Sequence, residues 1–445
     1  MALGGGVWQT QNKKMPGTYI NFISKVRATV NMGERGRVAI PLVLDWGVDD
    51  KVITVTAEDF QKNSMKLFGY DFSHKKMQGL RELFSNAKIV YFYKLGKGAV
   101  KATNDLAEAL YAGSRGNDIS ISINQDIDSV DKYVVITNIK NDSGFTVLDT
   151  QTVKKWDDLK DNDYVKFKRS GELKDAITAG KPLAGGKNAD TITTGDYQSF
   201  LDKIESYNFN ILACPTDDKS TQDLLISFTK RCRENVGAKF QVVVHDYKNA
   251  DYEGVISVKN DTVGVDVPTY GLVYWLSGIE ASCSVNESCT NRAYTGGYTV
   301  MTDYKQLDLE QAIDDGMLIL HNGEKGLPTI VRDINSFTSF SKKKNEDFSS
   351  NQVIRVLDQH AMDIAALFNK MYLGKEPNDK DGRIALWSDI VAYEKEMQRI
   401  RAIQNFKPED VPIPQQGQNK ETVLAEYAIQ PVMCMEKLYM NIIIA

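Results

Sequence analysis

The chain has 445 residues, of which 42% are hydrophobic and 25% charged, and its formal net charge is −5. This length allows roughly three domains with sizeable cores, and the composition is that of an ordinary globular protein. The longest basic run, Lys342-Lys343-Lys344, is too short to indicate nucleic-acid binding. We find neither an apolar run long enough to span a bilayer nor the pattern of a secretory signal.

Cysteine usage indicates a reducing compartment. An odd number of scattered cysteines in a large chain favours free thiols over a disulfide framework. We interpret all of them as small buried hydrophobic residues. The five positions are Cys214, Cys232, Cys283, Cys289 and Cys434.

The first part of the chain predicts a small β-α-β unit. Residues 37–45 (RVAIPLVLD) and 89–93 (IVYFY) are typical of buried strands. Between them, apolar residues recur at the spacing of one helix face. These are Met77, Leu80, Leu83, Phe84 and Ala87.

Residues 119–168 predict a β-sandwich or barrel module. Residues 119–123 alternate strictly between isoleucine and serine. Further apolar runs at 133–136, 145–148 and 164–167 follow, separated by turns that carry Asn, Asp or Gly. Short strands at this spacing are typical of all-β modules. Residues 180–195 are rich in Gly, Lys, Asn and Thr and predict a loop that leaves the module.

From residue 196 helical and strand patterns alternate, which predicts an α/β layer with a mostly parallel sheet. The predicted elements are a helix at 197–207, a strand at 210–213, a helix at 221–234, strands at 240–244 and 255–258, and a helix at 270–281.

After residue 335 the chain is predicted to be mainly helical. A helix over 352–372 carries one apolar face, a break follows at 374–382, and a second helix covers 384–403. Pro412 and Pro414 indicate a loop before the last strands. The apolar face of the first helix consists of Val353, Leu357, Ala361, Ile364, Leu367 and Phe368.

Both ends of the chain have the pattern of strands that lack a partner of their own. The segments are 14–23 and 435–445, and the second ends without a polar tail. An apolar strand at an edge aggregates unless it is paired or covered. We therefore interpret both ends as arms that add strands to neighbouring copies.

The sequence shows no convergent catalytic site. His245-Asp246 follows a strand, a plausible place for a catalytic pair, but a G-x-S-x-G nucleophile motif is absent. None of the four histidines has metal-ligand spacing, and no phosphate-binding loop is present. We expect a structural protein with no catalytic residue, cofactor or metal. Two alternatives remain, a hydrolase that uses His245, Asp246 and an unidentified serine, and an adhesion module that uses the sandwich.

Several segments, in order along the chain, resemble contractile tail sheath proteins of bacteriophages and phage-tail-like bacteriocins, of the type found in Gram-positive bacteria. Each motif alone is weak, but together they extend from residue 16 to residue 440. They are PGTYINF (16–22), ALYAGSRGNDI (109–119), LAGG (183–186), IESYNFN (204–210), GIEA (278–281), NESCTN (286–291), RDINS (332–336), RVLD (355–358) and PVMCMEKLYM (431–440).

The resemblance implies an α/β multidomain fold. We expect an arm at 1–22, an α/β segment at 23–98, an inserted β-sandwich at 99–188, a subtilisin-like α/β domain without catalysis at 189–335, and an α+β C-terminal domain at 336–445 with an arm from about 430. The arms exchange strands between copies. The expected arm residues are Thr18, Tyr19, Ile20, Asn21, Phe22, Leu438, Tyr439, Met440, Asn441, Ile442, Ile443 and Ile444.

The resemblance also implies the partners. Copies of the chain would form a helical sheath around a tail tube protein, between baseplate and tail terminator proteins, and contraction would drive the tube through a bacterial envelope. Lys375, Lys380 and Arg383 are candidate contacts to the tube. We expect no nucleic-acid partner and no membrane insertion. Assembly is expected in the bacterial host cytoplasm, giving a virion tail or a released phage-tail-like particle.

Overall fold

The structure is a computed structural model that describes residues 33–142, 144–323 and 326–444. The N-terminal strand expected at 18–22 lies outside these residues. The first described segment confirms the predicted strands and helix of the β-α-β unit. It also contains a strand and a helix that we did not predict. Its elements are β1 (Arg37–Val43), β2 (Val52–Thr56), α1 (Ala57–Phe68), α2 (Gln78–Phe84) and β3 (Ile89–Leu95).

The next segment is a β-sandwich, as predicted. One sheet has four antiparallel strands in the order β7-β6-β5-β9, and the second pairs β4 with β8. The prediction of a loop over 180–195 is wrong at its start, because residues 178–182 pair with β5 as a strand. The strands are β4 (Ala107–Ala109), β5 (Ile119–Gln125), β6 (Tyr133–Asn141), β7 (Gly144–Val153), β8 (Val165–Phe167) and β9 (Thr178–Pro182).

The third segment alternates helices and strands and confirms the predicted α/β layer. The helices begin where the sequence offers caps; for example, the Asp218 carboxylate accepts a hydrogen bond from the Thr221 amide. The elements are α3 (Thr194–Ile204), β10 (Ile211–Ala213), α4 (Lys219–Arg231), β11 (Gln241–His245), β12 (Val255–Val258), β13 (Thr262–Val263), α5 (Leu272–Ser282), β14 (Thr299–Val300), α6 (Gln306–Asp314), β15 (Met317–Leu318), β16 (Leu320–Asn322) and β17 (Pro328–Ile330).

The segments before and after the sandwich share one seven-stranded sheet with the order β15-β12-β11-β10-β1-β3-β2. All neighbouring pairs are parallel except β2 with β3. Both faces of the sheet are covered: one hydrophobic cluster packs it against α1, α2 and α5, and another against α3 and α4. The strands are therefore buried on both faces, which explains their nearly continuous apolar sequences.

The sandwich is inserted into this α/β layer and shares a core with it. Where the sandwich begins and ends, the Val100 amide donates to the Lys187 carbonyl at 2.8 Å. Trp46, which follows β1, lies in the sandwich core and meets Tyr111 edge to face. Arg115 is buried and donates to the Gly69 carbonyl of the α/β layer. These contacts fix the orientation of the sandwich.

The last segment contains α7 (Asn351–Met371), α8 (Lys380–Arg399), β18 (Gln415–Gln416) and β19 (Val423–Leu424). Both predicted helices are confirmed, but the second begins four residues earlier than expected, so that Lys380 lies inside it. The first two turns of α7 are buried on nearly all sides, which a single apolar face does not predict. No helix in the described part of the chain has the length and apolar character needed to cross a membrane.

Candidate functional site

The C-terminal segment is an extended, exposed and apolar piece of chain. Among the described residues, none beyond Leu424 belongs to a strand longer than one bridge. Covering such exposed apolar side chains with a second surface lowers the free energy of the system. The exposed fractions are 84% for Leu438, 88% for Tyr439, 67% for Met440, 77% for Ile442, 90% for Ile443 and 95% for Ile444.

The segment leaves the body of the protein at Glu436. The Glu436 carboxylate accepts hydrogen bonds from Arg332 Nε at 2.9 Å and from Thr290 Oγ1 at 3.0 Å. Just before it, the Cys434 amide donates to the Gln352 side chain of α7 at 2.9 Å. Cys434 itself is exposed, so its interpretation as a buried residue is wrong, whereas the other four cysteines are buried.

Beneath Glu436 lies a buried cluster of charges between the α/β layer and α7. Arg355 Nη2 lies 2.6 Å from Glu280 Oε2 and 3.2 Å from Asp333 Oδ2, and all three side chains are about 1% exposed. The Arg355 guanidinium also donates to the Glu287 carbonyl at 2.9 Å. A second buried pair, Arg233 with Asp358, crosses the same boundary.

The two buried carboxyl groups of this cluster have pKa values shifted in opposite directions. Burial and the neighbouring Asp333 carboxylate raise the pKa of Glu280 well above its ordinary value. Burial also acts to raise the pKa of Asp333, but the charge of Arg355 and hydrogen bonds from Glu280, the Cys289 amide and Asn351 hold it below its usual range. Of the two carboxyl groups, Asp333 therefore favours its charged form more strongly, and its carboxylate balances the Arg355 guanidinium.

Three acidic or thiol side chains of this cluster, Glu280, Cys289 and Asp333, are close enough to hold a metal ion. Arg355 Nη2 already contacts both carboxylates and lies 3.9 Å from Cys289 Sγ. A divalent cation would meet the fixed positive charge of the guanidinium there. The arrangement fits an internal ion pair that joins two domains.

The predicted tube contacts lie at the turn between α7 and α8. Lys375 and Lys380 are exposed, and Lys375 Nζ donates to the Lys370 carbonyl at 2.6 Å. Arg383 is half-buried, because its guanidinium donates to Asn378 at 3.1 Å. The structure thus brings the three cations to one end of the helix pair, while their contact to a tube stays a prediction.

The histidine of the hydrolase alternative has a different partner from the one suggested by sequence. His245 ends β11, is 4% exposed, and contacts Asp261 Oδ1 through Nε2 at 3.0 Å. Asp246 instead pairs with Lys259 at 2.7 Å. Across residues 33–142, 144–323 and 326–444, no serine or threonine hydroxyl hydrogen-bonds to His245. The pairing of His245 with Asp246 is therefore wrong.

The structure is that of a multidomain protein in which a β-sandwich is inserted into an α/β layer and an apolar C-terminal segment is exposed. Four family profiles of tail sheath proteins match in succession. They are the Gp18 domain III N-terminal region (residues 35–95), the β-sandwich domain (96–188), the central domain (190–336) and the C-terminal domain (343–445).

Individual relatives agree with the profiles. The crystal structure of the sheath tail protein from Desulfitobacterium hafniense is 34% identical, with a TM-score of 0.81, over 93% of this chain and 96% of that one. The phage-like element PBSX protein XkdK of Bacillus subtilis is 29% identical over 99% of both chains. The anti-feeding prophage sheath, solved in its contracted state, shares the fold at 12% identity with a TM-score of 0.55, over 96% of this chain and 98% of that one.

The chain belongs to the phage tail sheath protein family and is a structural sheath subunit. The sequence predicts the family correctly, but it does not predict the buried charge cluster. The motifs GIEA, RDINS and RVLD carried its residues, although nothing in them indicated that Glu280, Asp333 and Arg355 meet.

Proposed function

We propose that copies of this protein polymerise head-to-tail into a helical sheath around a tail tube protein, joined by exchanged terminal strands. The observation that carries the proposal is the exposed apolar segment 438–444, which forms no strand within its own chain. An added strand gives main-chain hydrogen bonds and tolerates sliding of the bodies. A head-to-tail contact that does not close produces an open helical polymer.

The hairpin formed by β18 and β19 is the proposed acceptor. It is an isolated two-stranded sheet in which Gln415 pairs with Leu424 and Gln416 with Val423. Two strands alone are marginally stable in water, and three or more with an apolar face are far more stable. Leu424 is 58% exposed, so an arriving strand would cover it. The N-terminal strand, Thr18 to Phe22, would join the same kind of sheet in another copy.

The α/β layer serves in this proposal as a subtilisin-like scaffold without catalysis. Its parallel central strands and covered faces support that description. His245 contacts Asp261, and Asp246 pairs with Lys259, so the residue pair of the hydrolase alternative is not formed. Fold likeness to an enzyme carries no activity of its own.

The test is electron microscopy of the purified protein, intact and with residues 438–444 removed. We expect hollow striated tubes from the intact chain and only monomers from the shortened chain. The shortened chain should keep its thermal stability, because the removed side chains are mostly exposed. Val265→Lys alters another apolar residue that is 91% exposed and serves as the matched control. Normal tubes from the shortened chain would refute strand exchange.

The proposed electrostatic contact with the tail tube is tested separately. Reversing the charges of Lys375, Lys380 and Arg383 should weaken loading onto tubes, and more so at low salt, where screening is weak. Reversing Lys342 and Lys343, which are exposed on a distant loop, provides the control. Equal loading by both variants at low salt would exclude this electrostatic contact with the tube.

We also propose that baseplate and tail terminator proteins lie at the two ends of the sheath. Assembly would take place in the host cytoplasm, and the sheath would then be part of a virion tail or of a released phage-tail-like particle.

A further inference from the structure

A small cavity lies between the start of β1, the segments that precede β10 and β11, and the helix α7. Its volume is about 100 Å³, which is far below the roughly 300–1,000 Å³ of pockets for drug-sized ligands. The cavity therefore has room only for a small ion or for a few water molecules. Four cationic side chains line it, namely Arg35, Arg37, Lys239 and Arg355.

Three of these cations have no carboxylate partner. The half-buried Arg35 donates to two main-chain oxygens, from Nε to the Cys283 carbonyl at 3.0 Å and from Nη2 to the Glu280 carbonyl at 3.2 Å. Lys239 Nζ likewise donates to a main-chain oxygen, at 2.9 Å. In the part of the chain that the structure describes, neither of these side chains nor that of Arg37 pairs with a carboxylate. A carbonyl group has no net charge, so these hydrogen bonds leave the positive charges in place.

Most carboxylates at the cavity are already engaged by other cations. Asp358 pairs with both terminal nitrogens of Arg233, at 2.6 and 2.8 Å. The exposed Glu34 pairs with Lys88 at 3.1 Å. Asp363 accepts hydrogen bonds only from neutral groups among the described residues, and its charge remains available to the cavity. Three cations without a carboxylate partner against this one carboxylate leave an excess of two positive charges.

Two groups at the cavity show that its positive charge is poorly compensated. Arg355 is balanced by Asp333, but its Nε atom is buried and has no hydrogen-bond partner among residues 33–142, 144–323 and 326–444. Buried polar groups nearly always have such a partner. Burial and the neighbouring charge of Arg355 also lower the pKa of Arg35 to about 10. An anion in the cavity would offer acceptors to these guanidinium groups and would favour their charged form.

We propose that the cavity binds a small divalent oxyanion, with inorganic phosphate as the reference ligand, between Arg35, Arg37 and Lys239. A tetrahedral oxyanion accepts hydrogen bonds from several directions at once, and the planar donor fork of arginine suits it. The first two cations lie at the start of the α/β layer and Arg355 belongs to α7, so the bound anion would connect the two domains. The site lies within one subunit and is independent of the strand exchange proposed above.

Equilibrium dialysis of the full chain against radiolabelled inorganic phosphate, at constant ionic strength set with chloride, tests the site. This assay counts bound phosphate whether the copies are separate or polymerised. We expect one saturable site per chain, with sulfate as a competitor. Arg37→Gln and Lys239→Gln should each weaken phosphate binding about tenfold or more, because hydrogen bonds to charged groups are the strong ones. Lys343→Gln removes an exposed lysine of the loop before α7 and is the matched control, which should bind like the unchanged protein.

Thermal unfolding gives a second measurement and shows that each variant folds. Phosphate stabilises most folded proteins because it is excluded from their surface, so the informative quantity is the difference between variants at one phosphate concentration. A ligand that binds the folded state adds to this general effect. The rise in melting temperature should therefore be larger for the unchanged protein and Lys343→Gln than for Arg37→Gln and Lys239→Gln. The proposal is overturned if the unchanged protein shows no saturable phosphate binding, or if both cavity variants bind phosphate as tightly as it does.

Discussion

Replacing Arg355 with methionine is predicted to be among the most damaging single changes in this protein. Methionine keeps much of the volume but removes the charge that balances Asp333. It also leaves the Glu287 carbonyl without its donor. The Arg355 and Asp333 side chains are about 1% exposed, so the remaining carboxylate cannot be rehydrated in place. Removal of one member of a buried ion pair costs roughly 3–5 kcal/mol.

The assay is urea unfolding of variants that lack residues 438–444, so that polymerisation does not interfere. Arg332→Met is the matched control, because the side chains of Arg332 and its partner Glu436 are 25% and 19% exposed, so water can partly replace the lost contact. Its cost should lie between the roughly 0–1 kcal/mol of a fully exposed pair and that of the buried cluster. The double variant Arg355→Met with Asp333→Asn should recover part of the loss, since it removes the unpaired charge. If Arg355→Met costs no more than Arg332→Met, the buried cluster does not join the domains as we argue.

Three further predictions concern pH and the sandwich. Folding raises the pKa of Glu280, so its contribution to the free energy of unfolding is fully present below the ordinary glutamate pKa and is lost as pH rises through the folded value. Glu280→Gln should therefore make the free energy of unfolding less sensitive to pH above the ordinary glutamate pKa. Hydrogen bonds from Ser220 and Thr221 lower the pKa of Asp218 to about 2. Its contribution to the stability of the folded state is therefore present above the ordinary aspartate pKa and is lost as pH falls toward 2. Asp218→Ala should lower the melting temperature at pH 7 but not at pH 2. A variant that lacks residues 99–188 should still form tubes. Its melting temperature should be lower, because Trp46 would lose the sandwich residues that bury it. An unchanged melting temperature would contradict the shared core.

Much of the α/β layer could be predicted because its strands are buried on both faces and read as continuous apolar runs. β11 and β12 are of this kind. The missed helix α1 had a readable signal, since Thr56 and Asp59 form a capping box at its start. A capping box without a strong apolar run beside it does not by itself predict a helix. β2 was missed for the same reason, because only Val55 is buried in this five-residue strand at the edge of the sheet.

The candidate site was predicted less completely, because its parts depend on long-range contacts. The apolar sequence of 438–444 indicates a strand, but no pattern within the segment specifies the sheet it joins. The burial of Arg355 is a second case. Its helix has an apolar face on one side, yet the first two turns are enclosed on the others by the α/β layer. The periodicity of apolar residues identifies one buried face of a helix, but it does not predict that a second domain packs on the opposite face.

The motifs that carried the family resemblance converge in space. GIEA provides Glu280, RDINS provides Asp333, and RVLD provides both Arg355 and Asp358. Gly278 of the first motif allows α5 to pack closely on α2, since a side chain there would come within 2.4 Å of the Leu83 carbonyl. These short segments, which carried the resemblance, together build the joint between the α/β layer and the C-terminal domain. In the helical assembly proposed above, a subunit that transmits force between neighbours needs such a joint to be stiff. We propose that the buried ion pair, with its strict demand on geometry, supplies that stiffness.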